Sequence, residues 1–299
     1  MTNQDTAMIP RSSGGAARSS LDLSHEQVVH YDRYGYVFVD GLFTPKEVRQ
    51  LKVAMAEVVA ERSERTVMEA SGETVRSVYG MHQSSSRFGE LARHARLVEP
   101  SRYLLGGDVY LYQSKLNTKA VFDGDAWPWH QDYIYWLAED GMPQPRALTA
   151  AVYLDDVTEL NGPLMVIPGS NHEGTLGAAT YEGQPPGYEE APGWIANVVA
   201  RMKYTIDKPT FMALARDLGV VALKGRAGSV VFFDCNLVHA SPPNLSAAER
   251  SVALFTYNRC DNAPPAESLR RPDFLVARDA RPIVPEPDHA LRAMISRDR

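Results

Sequence analysis

Apolar positions along this chain recur at a helical spacing in the first quarter and then alternate with polar or small residues in a series of short runs. Thr44-Pro45-Lys46-Glu47 is a helix start, with Thr as cap, Pro in the first turn and Glu placed to reach back. The helix it opens runs to about Glu64 and puts Val48, Leu51, Met55, Val58 and Val59 on one face, suited to lie against a sheet. Ser24 precedes a shorter helix. Strands are predicted at Val75–Tyr79, Val109–Asn117, Arg146–Leu154, Leu164–Ile167, Val220–Leu223, Ser229–Phe233 and Arg250–Tyr257, punctuated by Gly and Pro. Many short strands behind a helical layer predict a mainly β fold with flanking helices, a double-stranded β-helix of the jelly-roll, cupin-like type. Residues 1–20, rich in Ser, Gly, Ala and Arg and without periodicity, read as a disordered tail, which leaves one domain over 21–299. Within it, the stretch 172–218 is a long insertion between two core strands. A connection of that length is functional or mobile; a lid over the open end of the jelly roll is expected, with a partly helical decoration at Trp194–Met202 as the alternative.

Composition narrows the function classes. A 299-residue chain with 44% hydrophobic residues can bury a large single core. Its net charge of -6 gives no basic footprint for nucleic acid. Two cysteines without metal spacing suit a reducing compartment, no apolar run has transmembrane length, and the first twenty residues lack a secretion signal. A cytoplasmic protein with a small-molecule partner is therefore expected, bound neither to membrane nor to nucleic acid; the sequence leaves its oligomeric state open.

The chemistry lies in Trp127-Pro128-Trp129-His130-Gln131-Asp132 and a distant His239. If the first segment is a strand, His130 and Asp132 share one face and Gln131 points off it. Adding His239 gives two imidazoles and one carboxylate on one side of a metal, the facial triad of non-haem Fe(II) oxygenases. Arg250 opens an apolar strand eleven residues after His239. A guanidinium there is always charged and needs a carboxylate, supplied either by the protein or by a small dicarboxylate co-substrate.

His130-Gln131-Asp132, His239 with Ser241, Arg250, and Asn161-Gly162-Pro163 running to Pro168-Gly169-Ser170 together resemble the phytanoyl-CoA dioxygenase family. Trp129 to Asp132, followed by Trp136 and by Asp140-Gly141-Met142-Pro143, is similar to the signature stretch of ectoine hydroxylases, and more so to hydroxylases of free leucine, which also carry Gln between the ligands. Tyr133-Ile134-Tyr135 departs from the Phe-Glu-Thr of the ectoine enzymes and points away from ectoine as substrate. The resemblance implies Fe(II), 2-oxoglutarate and O2, with His130, Asp132 and His239 on iron and with Gln113, Asn117, Ser241 and Arg250 holding 2-oxoglutarate. Arg271 would grip a substrate carboxylate. The reaction implied is oxidative decarboxylation of 2-oxoglutarate coupled to hydroxylation of an unactivated C–H in a small free amino acid or similar zwitterion. Trp129, Tyr133, Tyr135 and Trp136 are candidates for the pocket wall, and His82 for its mouth. The remaining histidines, His25, His30, His94, His172 and His289, read as surface or turn residues. Two alternatives stay open: the same chemistry on a carrier- or CoA-bound acyl group, and a non-catalytic jelly-roll sensor that keeps the metal site.

Overall fold

The computed structural model describes residues 23–176, 178–179 and 184–288; the expected tail at 1–20 and His289 lie outside the described residues. Its helices are α1 (His25–Tyr34), α2 (Pro45–Ala60), α3 (Met81–Ser84), α4 (Ser86–Arg93), α5 (Ala95–Leu105), α6 (Tyr133–Asp140) and α7 (Lys208–Leu218). The first seven strands are β1 (Tyr36–Val39), β2 (Thr66–Met68), β3 (Val75–Tyr79), β4 (Val109–Lys119), β5 (Trp127–His130), β6 (Ala147–Tyr153) and β7 (Leu164–Val166). Then follow β8 (Ala178–Ala179), β9 (Tyr204–Thr205), β10 (Val221–Leu223), β11 (Val230–Asp234), β12 (His239–Ser241) and β13 (Arg250–Arg259).

Seven strands in the order β1-β11-β6-β13-β4-β3-β2 form a large sheet, and β10-β7-β12-β5 form a smaller one facing it, with antiparallel pairing throughout. The period of two in the sequence assigns each face of the large sheet. Leu148, Ala150, Val152, Phe232, Ala253 and Phe255 point outward onto α2, α4 and α5, packing against Leu51, Leu91 and Leu97. The alternate residues Ala151, Tyr153, Val231, Phe233, Val252 and Leu254 point inward toward Val166 and Leu223 of the small sheet. This is the expected jelly roll with helices on one side, and inward residues Ala151, Tyr153, Val252 and Leu254 line a cavity between the sheets.

The expected start of α2 is correct in detail: the Thr44 hydroxyl accepts from the Glu47 N–H at 3.3 Å while Glu47 accepts from the Thr44 N–H at 2.7 Å. The helix stops at Ala60 rather than Glu64. Glu47 also takes Arg96 at 3.1 Å, which pins α2 to α5. Three helices between β3 and β4 were not foreseen, because Pro100 and two short four-to-eight-residue pieces break the periodicity there. His94 is a correction: it is fully buried rather than at the surface, and its Nδ1 accepts from the Arg96 N–H at the start of α5. His25 and His172 are exposed as expected. Within the insertion, the helical element is α7, capped by Asp207, while 193–202 holds only a 3-10 turn at Gly193–Asn197.

Candidate active site

The two imidazoles meet because β5 and β12 pair with His130 directly opposite His239, their ring centroids 4.1 Å apart. β5 ends at His130, so the pleat does not place Asp132 beside it, contrary to the strand reading. Asp132 has a helical backbone (φ -71, ψ -38) immediately before α6, and this strand-to-helix turn brings its carboxylate to 3.7 Å from His130 Nε2 and 4.0 Å from His239 Nε2. The three ligand atoms lie within 4.8 Å of one another, and all three residues are buried. Each imidazole is oriented from behind: His130 Nδ1 donates to the Pro128 carbonyl at 2.6 Å and His239 Nδ1 to the Leu237 carbonyl at 2.9 Å. A carbonyl can only accept, so Nδ1 holds the proton and Nε2 keeps its lone pair toward Asp132, the state a metal requires. Burial and the neighbouring His239 depress His130 to about 3, and burial also lowers His239. Burial opposes the charge on Asp132, but Lys115 and the imidazoles outweigh it and hold the carboxyl below its usual range. Gln131 points away, as expected; its amide bonds the Asn236 and Gly174 carbonyls and the Leu176 N–H, so it locks β5 to the start of the insertion.

Two compartments open from this triad. The first, a cavity of about 50 Å³, runs inside the jelly roll past Asn117, Tyr153, Ser241 and Val252 to Arg250. Arg250 is buried, and among the described residues no carboxylate pairs with it. Its Nη2 donates to the Gly162 carbonyl at 2.8 Å and to Ser241 Oγ at 3.0 Å, while its Nε has no hydrogen-bond partner. Burial lowers its hold on the proton to about 10. Gly162, at φ 78, approaches so closely that an added Cβ would lie 2.7 Å from the Pro242 carbonyl, which accounts for glycine in Asn161-Gly162-Pro163. Asn117 turns its Oδ1 to the Ser77 hydroxyl at 2.9 Å and lines the same cavity.

The second compartment lies on the other side of His130 and Asp132. Tyr79, Gln113, Lys115, Tyr135, Trp136, Asn197, Met202 and Arg271 form its wall. Arg271 is no solvated surface charge. It is 9% exposed; Nε donates to Asp140 Oδ1 at 2.9 Å and Nη2 to Oδ2, with the Tyr112 hydroxyl on the same carboxylate. Burial alone would weaken the guanidinium's grip on its proton; Asp140 reverses this and raises it. The Tyr112 hydroxyl also lies against the guanidinium and, with Asp140, raises its hold on the proton. Trp136 and Tyr135 line the compartment as expected because α6, ended by Gly141 at φ 71, turns them inward.

Gln113 lines the second compartment beside His130 and Asp132, and Asn117 the Arg250 cavity, four residues of β4 or about 13 Å away. Three expectations need correction. Tyr133 faces neither compartment: its hydroxyl donates to the Met142 carbonyl within the aromatic core. Trp129 is likewise outside and stacks on Phe211 of α7. His82 lines a separate surface groove with Arg93 and Arg278, its Nδ1 2.7 Å from Ser114 Oγ. Sequence reasoning missed Lys115, which borders both compartments, and Asn197. The first was legible, since Gln113, Lys115 and Asn117 alternate as polar residues on β4. The insertion walls the second compartment with Asn197, Val198 and Met202, and is fastened there by Arg76 Nε on the Val198 carbonyl at 3.1 Å and by Trp194 edge-on to Tyr79.

Residues 31–252 match the family model described as phytanoyl-CoA dioxygenase. The chain belongs to this family. It is 40% identical over 257 residues to an L-proline trans-4-hydroxylase of Streptomyces griseoviridis, covering 86% of this chain and 94% of that protein. It is 34% identical over 292 residues to an ectoine dioxygenase of Bordetella parapertussis, covering 93% and 91%. Its fold matches the crystal structure of EctD from S. alaskensis with 2-oxoglutarate and 5-hydroxyectoine at a TM-score of 0.75 and 32% identity, over 92% of this chain and 91% of that one. EctD has also been crystallised with bound Fe. The chain is a 2-oxoglutarate-dependent dioxygenase, with iron, 2-oxoglutarate and O2 as the reagents of the family. Among the described residues no helix is long and apolar enough to cross a membrane.

Proposed function

We propose that this enzyme hydroxylates an unactivated C–H of a small free amino acid or similar zwitterion, in the cytoplasm and as one oxygenase domain following an N-terminal tail. The observation that carries the reading is a pair of unlike compartments sharing one buried two-His-one-carboxylate cluster. One compartment is narrow and ends on a buried cation that no carboxylate pairs among the described residues; the other is wider in chemistry, with polar groups set in an aromatic wall. His130, Asp132 and His239 would hold the iron. When bound, iron and 2-oxoglutarate would supply, with O2, the oxidising chemistry that puts one oxygen atom into the substrate and the other into succinate, with release of CO2.

The chain's own residues then have separable tasks. Arg250, with Ser241 and Asn117, receives the far carboxylate of 2-oxoglutarate, which supplies the counter-charge that burial of the guanidinium demands. Arg271 is held rigid by Asp140 and offers its guanidinium to the substrate carboxylate, so a side-chain carbon is positioned toward the metal. Trp136, Tyr135 and the insertion exclude water. The 40% identity to a proline hydroxylase and the 34% identity to an ectoine dioxygenase support a small free zwitterion over an acyl carrier. The two unpaired cysteines, Cys235 and Cys260, support a reducing compartment. The test is incubation with Fe(II), 2-oxoglutarate and L-proline, L-leucine or ectoine, followed by mass spectrometry. Gain of one oxygen matched by succinate is expected with at least one of them. Oxidation of acyl thioesters alone would overturn the substrate class, and no succinate with any substrate would favour a sensor.

A further inference from the structure

Asn197 is the last residue of the 3-10 turn Gly193–Asn197 and sits in the wall of the second compartment. It is 6% exposed, and its Oδ1 is buried without a hydrogen-bond partner. A buried amide oxygen left unpaired costs roughly 1 to 3 kcal/mol, so a stable fold retains one where something else supplies the donor. The turn that carries it is anchored on both sides, by Arg76 at the Val198 carbonyl and by Trp194 packed edge-on between Tyr79 and Phe274. The compartment's own cations, Lys115 and Arg271, suit a carboxylate and cannot accept an N–H. Of the other acceptors there, Asp132 belongs to the metal cluster, and Gln113, fixed by its amide nitrogen on the Leu275 carbonyl at 2.6 Å, keeps an amide oxygen as the competing seat that the test below must separate from Asn197.

We propose that Asn197 Oδ1 is the seat for the substrate's ammonium N–H, and thus a specificity-determining residue for amine-bearing substrates over simple carboxylic acids. This rests on the amino-acid reading above and names the group that recognises its second charge. The insertion then contributes a polar contact to the substrate, beyond its role as a cover. The test compares L-proline with cyclopentanecarboxylate, which keeps the ring and carboxylate and lacks the amine, following succinate at saturating 2-oxoglutarate. Asn197→Leu is expected to raise the KM for L-proline by about 10- to 100-fold, the loss of one charge-assisted hydrogen bond. The KM values for cyclopentanecarboxylate and for 2-oxoglutarate should stay within about threefold of wild type by the same scale. Asn197→Asp keeps the acceptor and should retain the preference for the amine. Where Asn197→Leu does not accumulate as folded protein, Asn197→Ala gives the same readout. An unchanged preference for L-proline over cyclopentanecarboxylate in Asn197→Leu overturns the assignment, as does loss of that preference in Gln113→Leu alone. If wild type itself favours cyclopentanecarboxylate over L-proline, L-leucine and ectoine, the amino-acid reading falls instead.

Discussion

Replacing Arg250 by Ala should separate the co-substrate from the substrate more sharply than any other change in the site. Arg250 is buried, its hold on the proton is lowered to about 10 by desolvation, and its two recorded bonds go to neutral oxygens, the Gly162 carbonyl and Ser241 Oγ. That depression from the ordinary guanidinium value corresponds to about 3 kcal/mol against the charged form, which a bound dicarboxylate would recover. Removing one partner of a buried charge pair costs about 2 to 5 kcal/mol, hence a rise of roughly 30-fold to several-thousand-fold in the KM for 2-oxoglutarate. The KM for the hydroxylated substrate should change little, because Arg271 and Asn197 lie in the other compartment. Initial rates of succinate release over a 2-oxoglutarate titration give the first quantity, and a substrate titration gives the second. The thermal shift produced by 2-oxoglutarate should shrink in the same variant without any turnover being measured. Equal rises in both KM values, or an undiminished thermal shift, would refute the argument that the buried cation is matched by the co-substrate.

Asp132→Ala opens a coordination position and should abolish hydroxylation and weaken Fe(II) binding, measured by metal content after gel filtration; wild-type turnover would remove the triad from the account. Arg271→Ala leaves Asp140 buried and unpaired, so a stability loss of about 3 to 5 kcal/mol is expected in denaturant titrations. The Arg271→Ala/Asp140→Ala double variant should regain much of it, while still converting 2-oxoglutarate to succinate without hydroxylating the amino acid. His82, depressed from 6.5 to about 4 by burial and by Arg65 and Arg93, is neutral when folded and takes up a proton when unfolded, so its contribution is intact above pH 6.5 and lost as pH falls toward 4. At pH 5 this amounts to about 2 kcal/mol, and His82→Gln should flatten the loss of urea stability between pH 7 and pH 5; an unchanged slope in that variant sinks the assignment.

The jelly roll was legible because its strands obey a period of two and its turns are marked by Gly and Pro: Val75–Tyr79 is correct to the residue, and the other six are correct to within two at each end. What escaped notice lies where period and chemistry compete. The aromatic run Tyr133-Ile134-Tyr135-Trp136 has strand-like composition, yet it is helical because Asp132 turns the chain and Gly141 ends it. Arg271 was singled out only by the family resemblance; that one edge of its guanidinium is committed to Asp140 depends on a contact between residues 131 positions apart, beyond any local pattern. Asn197 carries no sequence signal, since an asparagine in a Gly- and Pro-rich insertion reads as turn chemistry, and only an unpartnered amide oxygen combined with a place in the compartment wall sets it apart.

Helix α6 starts next to Asp132 of the metal cluster and ends on the carboxylate that holds Arg271, with Tyr135 and Trp136 between. On the function proposed above, eight residues would therefore fix the metal and half of the substrate cradle as a single rigid part, and drift in either would be felt by both. The opposite half of the cradle would come from residues 193–202, which carry none of the three residues of the metal cluster. That split gives the scaffold a tuning knob independent of its engine. Exchanging the insertion between relatives of this family should transplant preference among zwitterions while the consumption of 2-oxoglutarate continues, whereas exchanging α6 should stall both.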